Sequence, residues 1–177
     1  EDAIHLDDYE IASRMSYFLL DSMPDAALFA KAEAGELSAP AVRRLETQRL
    51  LATTRGADTM LSFHDLLLKF ESFEAVNPSP AFFPDVSPSL GVDAHTEAEL
   101  FIRELIHADK GSFKDLLTST ESYVNAGLAE IYGLAGTFSE PEFERVQLDP
   151  ERRLGLVTRT GHLAPHASSV NADPSHR

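Results

Sequence analysis

The chain has 177 residues and contains no cysteine. This absence excludes disulfide bonds, zinc–thiolate sites, iron–sulfur ligation and covalent c-type haem within the chain. It leaves the compartment open, because exported proteins can also lack cysteine. Long apolar runs are missing too, since no stretch approaches the ~20 residues that a membrane-spanning helix needs. We therefore expect no membrane span.

Basic residues are scarce: 15 lysines and arginines face 29 acidic residues, which gives a net charge of −14. Such a charge repels phosphate backbones and anionic membrane surfaces. We therefore expect no nucleic-acid partner. Hydrophobic residues make up 43% of the chain, enough for an ordinary globular core.

Apolar residues recur at helical spacing along most of the chain. One stripe consists of Ile11, Met15, Phe18 and Leu19. The cleanest stripe consists of Ala98, Phe101, Ile102, Leu105 and Ile106. Predicted strands and helices do not alternate as they do in βαβ units. The sequence therefore predicts a mainly α fold, an irregular bundle of about seven helices.

Local signals mark several boundaries. Asn125 is a good N-cap and Gly133 a good left-handed C-cap for one helix. Residues 143–148 alternate imperfectly and predict a short extended piece. A last helix is predicted from Asp149, with Leu154 and Val157 facing inward.

The segment "VNPSPAFFPDVSPS" contains four prolines, which forbid a continuous helix or a central strand. We interpret it as an ordered proline-rich loop, held to the core by Phe82 and Phe83.

Most histidines have ordinary explanations. His64 fits a half-buried, hydrogen-bonded side chain on an apolar helix face. Glu104 and His107 form a lone E-x-x-H, whereas carboxylate-bridged di-iron bundles need two. His95 and Glu99, four residues apart, fit an exposed surface pair.

The C-terminal segment offers three candidate metal ligands: His162, His166 and His176. An H-x-x-x-H pair on a helix would put both rings on one face, but Pro165 makes a regular helix there doubtful. A metal or a non-covalent haem stays an open alternative.

The chain has no G-x-S-x-G motif and no phosphate-cradling loop. No set of residues therefore identifies a reaction, and whether the chain is an enzyme stays open.

Four long sequence segments follow one another along this chain, and a short segment ends it: "LDDYEIASRMSYFLLDSMPDAALFAKAEAGELS", "VNPSPAFFPDVSPSL", "YVNAGLAEIYGL", "FERVQLDPERRLGLVTRTGHLA" and "DPSHR". In this order they resemble the planctomycete-cytochrome-associated domains of unknown function, which occur in large exported bacterial proteins. The resemblance implies two adjacent domains, a helical one at 1–137 and the start of a second at 138–177. The family pattern has tryptophan at Leu20 and within 66–68, and this chain has none.

The resemblance also implies a periplasmic or secreted location, with a c-type cytochrome module as a potential partner. Among the matching positions, Arg14 is a cation on a helix expected to be largely buried. We therefore expect it to pair with an acidic side chain or a helix C-terminus. Asn125 and Gly133 match as structural residues.

The ends of the chain predict a longer precursor. The first residues are acidic, unlike a signal peptide, and there is no initiator Met. In the family that this chain resembles, a long continuation follows the stretch that ends here at Arg177. We therefore expect that the polypeptide was cut after Arg177, for example by proteolysis. Since Leu163 and Val170 are the only large apolar residues after Gly161, residues 163–177 are expected to pack against that continuation as a second chain.

Two functional hypotheses follow. The first is a structural or partner-binding helical module of an exported, cytochrome-linked, heteromeric assembly, non-catalytic within this chain. The second is part of a metal- or haem-dependent redox enzyme whose site another polypeptide completes.

Overall fold

The computed structural model describes residues 5–107 and 111–167, without the side chain of His107. The fold is mainly α, which confirms the prediction. The helices of the described residues are α1 (Asp8–Leu20), α2 (Ala26–Glu33), α3 (Pro40–Leu51), α4 (Thr54–Leu68), α5 (Glu71–Glu74), α6 (Leu90–His107), α7 (Phe113–Thr118), α8 (Ala126–Tyr132) and α9 (Thr160–Leu163). The strands are β1 (Glu121–Val124) and β2 (Glu144–Gln147). No helix in these ranges is long and apolar enough to cross a membrane.

The described residues up to Phe63 form the first of two compact units. A capping box of Asp7 and Glu10 starts α1, which satisfies backbone N–H groups that would otherwise lack partners. The Asp8 carboxylate accepts a hydrogen bond of 2.6 Å from the backbone N–H of Leu37 and so ties α1 to the turn before α3. The core of this unit consists of Ala12, Leu19, Leu20, Leu28, Ala32, Leu37 and Leu50.

The predicted apolar stripe of α1 is partly wrong. Phe18 is 82% exposed, whereas Ala12 and Ser16 are fully buried. Because α1 packs against both α2 and α3, small side chains occupy the arc where the helices approach closely. The larger Phe18 lies outside that arc.

The described residues from His64 onward form the second unit. In this unit α6 packs against α5, α7, α8, α9 and β1. The predicted extended piece is β2, and β1 pairs with it in an antiparallel register that sets Glu121 opposite Gln147. One core cluster consists of Leu90, Val124, Leu128, Ala129, Tyr132 and Leu148.

The predicted last helix is wrong. The chain instead makes a 3₁₀ turn at Leu156–Thr158, the short α9, and a second 3₁₀ turn at Ala164–His166. Gly155 has φ +60°, and a Cβ there would lie 2.3 Å from the Leu117 carbonyl carbon. This left-handed position and close approach break the helix, so that Leu154 and Val157 are exposed.

The proline-rich loop is held differently from our expectation. Phe82 and Phe83 are exposed, because their N–H groups both donate to the Ser79 carbonyl in a tight turn that leaves the rings outside. Val76 and Val86, near the two ends of the loop, pack against the core instead.

Candidate functional site

The second unit contains an apolar groove with a volume of about 800 Å³. The proline-rich loop lines one part of it, and the segment from α9 through the second 3₁₀ turn lines another. Its lining residues are Ser72, Ala75, Val76, Asn77, Pro78, Ser79, Phe83, Val86, Leu90, Ile131, Thr160, Ala164, Pro165 and Ala167.

The groove is open and uncharged. None of its lining side chains is ionisable under ordinary conditions, although the chain carries a net charge of −14. Several lining residues remain solvent-exposed, among them Phe83 with 42% exposure. An enclosed small-molecule pocket would bury most of its ligand's surface, whereas this surface is wide and accessible.

Near the groove lies a buried polar cluster, which we call the Glu97 network: Glu97, Ser122, Tyr132 and Arg159. Glu97 is 1% exposed. Its carboxylate accepts hydrogen bonds from the hydroxyl of Ser122 and from that of Tyr132, the latter at 2.7 Å. The nearest guanidinium nitrogen of Arg159 lies 3.6 Å from it. The network therefore joins α6, β1, α8 and the segment before α9.

Arg159 is also 1% exposed. Its guanidinium donates to the Ser122 hydroxyl at 2.8 Å, to the Gly155 carbonyl at 3.3 Å and to the Glu121 carbonyl. Its carbon Cζ lies 3.8 Å from the centroid of the Phe101 ring. These contacts provide what a buried cation requires, namely an opposite charge, oriented acceptors and an aromatic face.

Burial controls the ionisation of the network. It raises the pKa of Glu97, an effect that the Arg159 charge and the two hydroxyl donors oppose. Burial likewise lowers the pKa of Arg159, while the Glu97 charge opposes that change. Burial and the Glu97 charge both raise the pKa of Tyr132 well above its ordinary value. Tyr132 therefore keeps its proton and remains a hydrogen-bond donor to Glu97.

Thr160 connects the network to the groove. It lines the groove, and its backbone N–H donates to the Tyr132 hydroxyl at 3.2 Å. The side chains of the Glu97 network are themselves buried, so they do not meet a ligand directly. Their role in this arrangement is to fix the position of the groove wall at the start of α9.

Two of the three predicted metal ligands lie together. The ring centroids of His162 and His166 are 5.7 Å apart, with an edge-to-face angle of 69°. His176 lies outside the described residues. Among the residues that are described, no group of three histidine, cysteine or carboxylate side chains is arranged to hold a metal ion.

The expectation for Arg14 is wrong. Arg14 is exposed, and within 5–107 and 111–167 it makes no hydrogen bond or ion pair. The physical reason is the orientation of α1, which buries Ala12 and Ser16 and turns Arg14 outward. In water its charge needs no partner.

Asn125 and Gly133 bound α8. The Asn125 side chain accepts a hydrogen bond of 3.1 Å from the Leu128 N–H. Gly133 ends the helix with φ +67°. Both residues act on the backbone of α8, which carries Tyr132 into the Glu97 network.

The His107 side chain lies outside the described part of the structure, and within that part the remaining histidine and carboxylate candidates contact different partners. His95 pairs with Glu74 at 2.7 Å rather than with Glu99, because α5 packs against α6 at that level. Glu104 contacts Tyr123 and Arg145, both at 3.3 Å. His64 is half-buried as predicted.

Sequence reasoning missed the Glu97 network. One signal was present, since Glu97 lies three residues after Ala94 and four before Phe101, within the apolar stripe of α6. A charged residue on a buried helix face requires a partner. Arg159, in contrast, follows irregular turns with no period to indicate its burial.

Comparison with known proteins gave one family. Neither the curated proteins nor the solved structures yielded a match to this chain. The sequence model of the family described as PSD4, protein of unknown function (DUF1592), matches residues 6–134, well over half of the chain. This matched stretch includes the proline-rich loop and three of the four residues of the Glu97 network. The chain therefore belongs to the PSD4 family of proteins of unknown function (DUF1592).

Proposed function

We propose that this chain is a non-catalytic, partner-binding helical module and that the apolar groove is its binding surface. The observation that carries the proposal is the groove itself, about 800 Å³ lined by uncharged side chains. Open apolar patches on a protein surface mark interaction sites because they leave apolar area in water. Burial of that area against a partner is favourable by about 25 cal/mol per Å².

The proposed occupant is a polypeptide segment that presents apolar side chains. Two features favour it over a small molecule. Exposed lining residues such as Phe83 leave the groove open to solvent, and several separate chain segments form its sides, among them the proline-rich loop and the segment from α9 onward. A segment of polypeptide can lie along such a groove and place successive apolar side chains in it.

The source that we propose is the continuation of the same precursor, present as a second chain. Support comes from Ala164, Pro165 and Ala167, which line the groove. They belong to the segment 163–177 that the sequence predicted to pack against another polypeptide. Export to the periplasm or beyond, and a link to a cytochrome c module, are further proposals supported by the sequence resemblance alone.

A photo-crosslinking experiment tests the groove. The photoreactive residue p-benzoylphenylalanine replaces Phe83 in the protein expressed in its natural host, and crosslinked peptides are identified by mass spectrometry. The matched control carries the same residue at Leu66, which is exposed but does not line the groove. We expect position 83, and not position 66, to crosslink to a segment of polypeptide outside residues 1–177.

Identical products at both positions, or products confined to this chain, would contradict the proposal. Native mass spectrometry of the same material distinguishes the small-molecule alternative, which would appear as a bound compound of low mass.

A second candidate function is a metal- or haem-dependent redox role completed by another polypeptide. The observation that favours it is the 5.7 Å separation of the His162 and His166 rings. Metal analysis and the visible absorption spectrum of protein purified from the natural host test it. A bound haem would give an intense Soret band, and the absence of both metal and haem would count against this role.

A further inference from the structure

We infer that His162 and His166 form an open binding site for a divalent transition-metal ion of the class that imidazole prefers: Cu²⁺, Ni²⁺ or Zn²⁺. The inference deepens the second candidate function by naming the ion class and its ligands. It does not depend on a polypeptide partner in the groove.

The separation of the two rings suits a shared ion. An ion about 2.0–2.1 Å from one nitrogen of each ring lies between rings whose centroids are about 5–6 Å apart. The observed separation is 5.7 Å.

The backbone between the two histidines is well fixed. His162 lies in α9 and His166 ends the second 3₁₀ turn. Hydrogen bonds flank the pair, from Leu163 N–H to the Arg159 carbonyl at 3.0 Å and from Ala167 N–H to the Ala164 carbonyl at 3.1 Å. Pro165 restricts the backbone further. A fixed backbone lowers the conformational entropy lost when both rings bind one ion.

The site is open. In the part of the chain that the structure describes, no third histidine, cysteine or carboxylate completes a group of ligands. Water molecules would fill the coordination positions that no residue outside the described ranges supplies, as in metal sites that leave positions for an exogenous ligand. The ion would also join α9 to the 3₁₀ turn that lines the groove.

Titration with Cu²⁺ tests the inference. The purified chain is treated with a chelator, dialysed and titrated with Cu²⁺ by calorimetry, and electron paramagnetic resonance counts the nitrogen ligands. We expect one ion per chain with two imidazole nitrogens. The variants His162→Gln and His166→Gln should each bind at least about tenfold more weakly, since even the loss of an outer-shell partner costs 10–100-fold.

His95→Gln is the matched control, because His95 is another half-buried histidine and its ring nitrogen contacts Glu74 on a different helix, α5. It should bind Cu²⁺ like the unaltered chain. Circular dichroism checks that each variant folds, and the resonance spectrum of the unaltered chain decides the ligand set even if a variant does not fold. No binding by the unaltered chain, a spectrum without two nitrogen ligands, or equal binding by all folded variants would overturn the inference.

Discussion

The guanidinium carbon of Arg159 lies 3.8 Å from the centroid of the Phe101 ring. This contact sets a cation against an aromatic face at a point where both side chains are almost fully buried. Glu97, four residues before Phe101 on α6, supplies the opposite charge at 3.6 Å. A buried pair of this kind makes the second unit sensitive to the loss of either charge.

Replacement of Arg159 by methionine should destabilise the protein by about 3–5 kcal/mol, because it leaves the Glu97 carboxylate buried without its cation. Methionine retains much of the side-chain volume, so the loss reports charge more than packing. Urea unfolding followed by circular dichroism measures the change.

The double variant Glu97→Gln/Arg159→Met separates these effects. It should be less destabilised than Arg159→Met alone, since it leaves no uncompensated charge in the interior. A double variant as unstable as the sum of the two single variants would show that the pair is not coupled.

Tyr132→Phe should reduce the free energy of unfolding by about 1–3 kcal/mol. The Tyr132 hydroxyl donates to Glu97 and accepts from the Thr160 N–H, and the change leaves both groups without that partner. Tyr17→Phe is the control, because Tyr17 is exposed. Equal and small effects of both changes would argue against the hydroxyl as a structural link.

Gly133→Ala should cost about 1–2 kcal/mol, because the residue has a left-handed backbone conformation. A Cβ at this position would meet nothing within 4 Å, so steric contact contributes little. Gly133→Asn should cost less, since asparagine adopts this conformation more readily. Thermal unfolding compares the two, and the reverse order would contradict a backbone origin.

Asp25 gives a prediction for pH. Two guanidinium nitrogens of Arg49 bond its carboxylate at 2.7 and 3.0 Å, and this contact lowers the pKa of Asp25 in the folded protein. A lowered folded pKa stabilises the protein above the unfolded value of 3.8, and that stabilisation is lost as the pH falls through the folded pKa.

Asp25→Asn removes this titration but keeps a side chain suited to the N-cap of α2. Unfolding free energies measured across pH should therefore differ most near neutrality and converge once the pH falls below the lowered pKa of Asp25 in the folded protein. A difference that stays constant with pH would show that the ion pair contributes nothing.

Arg14→Ala should change stability by less than about 0.5 kcal/mol, the usual range for exposed positions without specific contacts. The sequence alone predicted a buried, paired cation and hence a large loss. A loss above 2 kcal/mol in urea unfolding would restore that earlier expectation.

Local chemistry was predictable from the sequence. Asn125 and Gly133 bound α8 because a capping side chain and a left-handed glycine act within a few residues. The stripe on α6 was also clear, since Ala98, Phe101 and Ile102 are all buried.

Choices that depend on neighbouring elements were not predictable in the same way. On α1, periodicity alone did not distinguish the arc of Phe18 from the adjacent arc of Ala12 and Ser16, because helix–helix distance decides between large and small side chains. The pairing of Glu97 with Arg159 joins positions far apart in sequence. Only the packing of α6, β1 and α8 brings them together.

The uncharged lining of the groove has a consequence for binding kinetics. The strength of contacts between uncharged groups does not depend on ionic strength. The rate at which a charged partner approaches a chain with a net charge of −14 does depend on it. An acidic partner segment would be repelled at low salt and would associate faster as salt is added, while its residence time in the groove stayed the same. Ionic strength would thus control how often the groove is visited and not how long it is occupied.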